Sequence, residues 1–83
     1  MTTKTLRPLN ELAKIIESEN LGKPWFAYAM PYVDALYCLK TTADTFGADS
    51  GKSIVLYTLS NLTYWRGETA KAVKAELKLH LAN

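Results

Sequence analysis

The chain has one cysteine, four glycines, three prolines and one histidine in 83 residues. With only Cys38 as a thiol, no internal disulfide and no cysteine-built zinc site can form, and a reducing compartment suits it better than secretion. A lone His80 supplies no histidine cluster for a metal. Charge of one sign is nearly absent in excess. Ten Lys and Arg stand against eight Asp and Glu, a net +2 too neutral for a dedicated nucleic-acid coat. No run approaches the roughly 20 apolar residues of a membrane span. Met1-Thr2-Thr3-Lys4-Thr5 carries no apolar stretch, so no signal peptide is expected, and the expected setting is cytoplasmic. The length excludes a dinucleotide fold or a barrel enzyme and predicts one helical domain over residues 1–83, with residues 1–5 flexible.

What is present is apolar and aromatic. Forty-eight per cent of the residues are hydrophobic and nine are aromatic, enough to support a core and to exclude disorder. Four segments carry a helical period and none alternates like a strand. The predicted fold is therefore all-α, a small compact bundle of three to five helices with a radius of gyration of about 12 Å.

The first helix is predicted from Pro8 to Ser18, with Leu9, Leu12, Ala13 and Ile16 on one face and Pro8 in the first turn. Asn20-Leu21-Gly22-Lys23-Pro24 ends it. The second segment, Trp25 to Phe46, shows spacings of four and three through Trp25, Ala29, Tyr32, Leu36, Leu39, Ala43 and Phe46. That stripe predicts a helix packed lengthwise, which Pro31 either bends or divides. Gly47-Ala48-Asp49-Ser50-Gly51 breaks the pattern, with Asp49 or Ser50 available to cap the next helix. Gly51 to Tyr64 is apolar nearly all round, which predicts a central, buried helix. After Arg66-Gly67, the segment Glu68 to Leu81 turns Ala70, Val73, Leu77 and Leu81 inward and Lys71, Lys74 and Lys78 outward. The net positive charge lies in this half: residues 1–46 carry five charges of each sign, residues 47–83 five positive and three negative.

Few residues group into a chemical site. The glycine-rich run 47–53 has three residues between its glycines where a phosphate loop needs four, and it follows a helical segment rather than a strand. It reads as a helix cap. Cys38 and His80 have no spacing that pairs them and no third residue to orient them, and Cys38 reads as a small buried thiol. No catalytic residue, cofactor, metal or small-molecule substrate is expected, and the chain reads as a non-enzyme.

Two binding surfaces remain. Tyr28 and Tyr37 fall off the second stripe and, with Trp25, Phe26 and Met30, form a candidate interface for a second copy or another protein. The alternative is nucleic-acid binding by a helix-turn-helix-like pair around Gly67, with Arg66, Lys71, Lys74 and Lys78 as phosphate contacts. That alignment places Leu62 and Val73 at core positions. It also sets Arg66, Glu68 and Glu76 where the motif wants apolar residues, which disfavours it. Trp65 and Gly67 read as a structural corner, Trp65 plugging it and Gly67 turning the backbone, with a carboxylate such as Glu68 meeting Arg66. Trp65 and Arg66 also have the composition of a binding anchor.

The stretch Leu59-Ser60-Asn61-Leu62-Thr63-Tyr64-Trp65-Arg66-Gly67-Glu68-Thr69-Ala70, followed by Lys74, Glu76, Leu77 and Lys78, resembles the C-terminal end of short uncharacterised proteins of tailed bacteriophages and prophages. In those, an apolar helix leads through a Trp-Arg-Gly corner into a Lys-rich helix. The resemblance covers about the last 30 residues. It implies the cytoplasm of a bacterial host cell, and it carries over no activity and no functional residue.

Overall fold

In the computed structural model, which describes residues 6–82, the first expected face is buried as a unit. Leu9, Leu12, Ala13 and Ile16 are all inaccessible in α1, Leu9–Asn20. Pro8 stands just before the helix as its N-cap, where a missing N–H costs nothing, and its carbonyl accepts from the N–H groups of Glu11 and Leu12. The flexibility expected of residues 1–5 lies outside the described residues.

The second segment folds differently from its stripe. Its helix, α2, spans Phe26–Leu36 and runs unbroken through Pro31. Pro31 and Ala27 are both exposed, so the carbonyl that loses its donor faces water and the proline is tolerated. The buried face is Phe26, Ala29, Val33 and Leu36. It is turned from the expected face by about half of the 100° step per residue. Phe and Val have no polar atoms and go inside, whereas Trp25 and Tyr32 keep their polar tips at the edge.

Beyond Leu36 the chain leaves the helix although the apolar spacing continues. Cys38 and Leu39 donate to the carbonyls of Ala35 and Leu36 in a tightened last turn. Asp44 then captures the backbone N–H groups of Lys40 and Thr41 at 2.8 and 3.1 Å, and the Thr41 hydroxyl accepts from Ala43. Side chains of this type compete with the helical ladder for backbone groups, and here they prevail. Of the outer stripe only Leu39 is buried. Ala43 and Phe46 are exposed, and Phe46 lies in β1, Thr45–Phe46, which pairs antiparallel with β2, Asp49–Ser50. This two-residue hairpin was not foreseen, being too short to show alternation.

Ser50 caps α3, Gly51–Ser60, by accepting from Ser53 N–H at 3.2 Å. Gly51 is required by proximity: a Cβ there would stand 2.8 Å from both the Cα and the carbonyl oxygen of Thr42. The expectation of a central helix reaching Tyr64 is corrected. Helix α3 ends at Ser60 and buries one face, Gly51, Ile54, Val55 and Thr58, while Leu56 and Tyr57 are exposed. The last helix, α4, is Glu68–Ala82, preceded by Gly67 at φ +113°.

Each helix packs on the next, and α4 closes on α1, giving a four-helix all-α bundle with a radius of gyration of 12.1 Å. The core joins Leu9, Leu12, Phe26, Leu36, Leu62 and Leu77 with their smaller neighbours. Among the described residues no helix is long and apolar enough to cross a membrane.

Candidate functional site

The residues expected to form the interface separate. Phe26 is 1% exposed and belongs to the core, so it is unavailable to a partner; its apolar ring satisfies the inner face of α2. Met30 is half-buried against that core. Tyr37 is also half-buried, and its hydroxyl donates to the Glu17 carboxylate, which with partial burial pushes the phenol up to about 12. Trp25 and Tyr28 remain at the surface, Trp25 half-buried and Tyr28 75% exposed.

These two are joined by aromatic residues from the other side of the α2–α3 seam. Trp25 lies 6.4 Å from Tyr64 between ring centroids, and Tyr32 lies 5.3 Å from Tyr57. Trp25, the residue capping the start of α2, meets Tyr64 in the turn after α3, and Tyr32 inside α2 meets Tyr57 inside α3, so the two segments run antiparallel. Tyr32 follows Trp25 by seven positions, and Tyr64 follows Tyr57 by seven. The result is a ladder of two aromatic rungs with Tyr28 beside it. At one end Trp25, Tyr28, Ser60, Asn61, Thr63 and Tyr64 line a notch of about 150 Å³ that contains no charged residue.

The small polar groups of this notch are already engaged. Ser60 and Thr63 hydroxyls donate to the carbonyls of Leu56 and Ser60, and the Asn61 amide donates to that of Tyr57 at 2.8 Å. The Tyr57 and Ser60 carbonyls are among the last four of α3, where the helical ladder runs out of donors, and the Leu56 carbonyl lies just inside them. By contrast, the hydroxyls of Tyr28, Tyr32, Tyr57 and Tyr64 and the Trp25 indole N–H have no hydrogen-bond partner among the described residues. Tyr57 and Tyr64 were missed in the sequence. The matching seven-residue spacings in two segments were the available signal.

The basic corner is a second feature. Trp65 is 2% exposed and lies in the connection between α3 and α4. Lys74 is half-buried, and its ammonium donates to the Trp65 carbonyl at 2.6 Å. Burial, then the charges of Arg66 and Lys78, hold its pKa below the usual lysine value. Lys74 therefore serves the corner, and only Arg66, Lys71 and Lys78 of the four expected phosphate contacts are fully exposed. They make no ion pair among the described residues; the Arg66–carboxylate contact expected at Glu68 is absent there. Trp65, Arg66, Gly67, Ala70, Lys71 and Lys74 enclose an open cleft of about 360 Å³.

A third cluster was not anticipated. Arg7 grips Glu76 through its backbone N–H at 2.6 Å and through Nη2 at 2.9 Å, and His80 Nε2 lies 2.8 Å from the Arg7 carbonyl. A carbonyl only accepts, so the imidazole donates from Nε2. Burial pushes the Glu76 carboxyl up, but the hydrogen bonds and charge of Arg7 outweigh it and leave the pKa below its ordinary value. The guanidinium is raised in turn by its bond to Glu76. Val73, Glu76, Leu77 and His80 repeat the inward spacing of Leu9, Leu12, Ala13 and Ile16, which was the legible signal.

Cys38 is exposed rather than buried, because the helix ends just before it. Its Sγ faces the Asp34 carbonyl, whereas His80 is engaged with Arg7. No group of three His, Cys, Asp or Glu among the described residues is placed to hold a metal. No protein-family model, curated protein or solved structure matches the chain.

Proposed function

We propose that the protein acts without catalysis, through protein–protein contact at the aromatic face of α2 and α3. The carrying observation is that Tyr28 and Tyr64, 75% and 72% exposed, flank Trp25 in an uncharged notch. Tyr and Trp contribute most to binding hot spots, because they cover large area with few rotatable bonds. A domain this small leaves much of its surface uncovered, so a second copy is one natural partner. The resemblance of the C-terminal segment to phage and prophage proteins supports a setting in the cytoplasm of a bacterial host.

Sedimentation across micromolar to millimolar concentration, run beside selection from a displayed peptide library, tests this reading. Self-association or peptide enrichment that the Tyr28→Ala, Tyr64→Ala double variant loses supports it. A strict monomer that enriches no peptide overturns it.

A second reading is favoured by the unneutralised charges of Arg66, Lys71 and Lys78, which suit the phosphates of nucleic acid. Binding of duplex DNA should then fall steeply as salt rises. No binding at low salt rejects it.

A further inference from the structure

The aromatic ladder has a spacing, a charge and a hydrogen-bonding polarity, and each restricts what can lie along it. Trp25 already has helical φ and ψ of −68° and −23°, and its carbonyl accepts from Tyr28, so the helical rise runs from Trp25 to Tyr32. Seven residue steps at 1.5 Å each set Trp25 and Tyr32, the members of the two rungs on the α2 side, about 10.5 Å apart along the helix. A polyproline II helix repeats every three residues, about 9.3 Å. Successive prolines on one edge of such a helix would therefore fall close to the two rungs in turn.

Polarity agrees with spacing. Apart from the Asn61 carbonyl oxygen, the polar side-chain atoms left unused are tyrosine hydroxyls and an indole N–H, and the indole can only donate. A proline-rich strand has carbonyl acceptors with no internal partner and lacks N–H groups at its prolines. It therefore needs donors and few acceptors. The notch contains no charged residue to fix a charged peptide. Its flat rings match the aromatic-lined grooves that seat proline rings, where the stiffness of the ligand lowers the ordering cost.

We propose that the Trp25–Tyr64 and Tyr32–Tyr57 rungs receive a proline-rich segment of a partner protein in polyproline II conformation, its carbonyls accepting from the Trp25 indole and the tyrosine hydroxyls. This identifies the partner class for the docking face above and rests on that reading. Proline rings at positions i and i+3 lie against successive rungs, and Tyr28 covers the strand between them.

The indole N–H resonances of the two tryptophans provide the test in the intact chain. Trp25 reports on the ladder, and Trp65, buried in the corner, is the internal control. Titration with a synthetic oligoproline of about ten residues, three turns of the helix, should move the Trp25 signal and leave that of Trp65 in place. Tyr64→Ala and Tyr57→Ala should each weaken the apparent affinity at least about tenfold, the loss expected on removing a hot-spot side chain. Both positions are exposed, and an unchanged amide spectrum outside the ladder verifies their fold.

A glycine–serine peptide of equal length that moves Trp25 as much as oligoproline overturns the proposal, as does an oligoproline without effect. If oligoproline has no effect and the protein self-associates through Tyr28 and Tyr64, the polyproline assignment is wrong and the docking face stands. If neither occurs and no library peptide is enriched, both readings fall.

Discussion

The Arg7–Glu76–His80 clasp and the α2–α3 ladder invert the usual placement of polar and apolar groups. The clasp takes a carboxylate and an imidazole into the interior, where Glu76 and His80 are 8% and 5% exposed. Each finds a partner on the arm before α1: charge-assisted bonds from Arg7 compensate desolvation of the carboxylate, and a hydrogen bond to the Arg7 carbonyl that of the imidazole. The ladder leaves Tyr28, Tyr57 and Tyr64 exposed and Trp25 and Tyr32 half-buried, their donors without a partner among the described residues. Buried polarity that is satisfied holds a fold together. Exposed aromatic surface whose polar atoms make no bond within the described chain is the feature on which the proposed docking face rests.

The largest test of this contrast lies beside the ladder. Phe26→Ala should cost about 3–5 kcal/mol, the usual range for a buried phenylalanine, and Trp65→Ala should cost a similar amount. A loss below 1 kcal/mol in denaturant unfolding of Phe26→Ala would place that ring at the surface and restore it to the interface. Next comes the clasp. Glu76→Ala should cost about 1–3 kcal/mol, because it strands the Arg7 N–H and guanidinium, and unfolding melts would measure it.

Acid provides a smaller version of the same experiment. Glu76 has a pKa lowered from the ordinary 4.5 in the folded protein, so the clasp contributes fully above that value. The contribution is lost as the pH falls through the lower, folded value. Asp44, held low by the N–H groups of Lys40 and Thr41, acts in the same direction. Glu76→Gln should therefore flatten, but not abolish, the loss of stability between pH 5 and strong acid. Identical acid profiles for the two proteins would show that the clasp does not couple to folding.

The smallest effect is expected at the ladder itself. Tyr28→Ala and Tyr64→Ala should change unfolding free energy by no more than about 0.5 kcal/mol, as exposed substitutions do. A larger loss would make the ladder a structural element like the clasp and erase the distinction.

Where the sequence pattern was short-range and purely apolar, it was legible. The inward face of α1, a cap at Asp49 or Ser50, the break at Arg66-Gly67 and the inward Ala70, Val73 and Leu77 of α4 all follow from spacing and residue type. The second segment misled because Leu39, Ala43 and Phe46 continue a helical period after Thr41 and Asp44 have taken the backbone groups a helix needs. Cys38 was misplaced for the same reason. Of the candidate interface, Tyr28 is exposed, Trp25 half-buried and Phe26 core, while Tyr57 and Tyr64 come from a segment whose apolar composition read as interior.

Composition and periodicity by themselves determined a small all-α bundle, because burying one face of each helix satisfies the apolar content. Only the tertiary structure decided which of two nearly equivalent faces of α2 turns inward, since that depends on whether phenylalanine and valine or tryptophan and tyrosine meet the neighbouring helices. The same packing brought Arg7 to Glu76 and Tyr57 to Tyr32. Contacts between residues far apart in the chain depend on helix orientation, which no local pattern encodes.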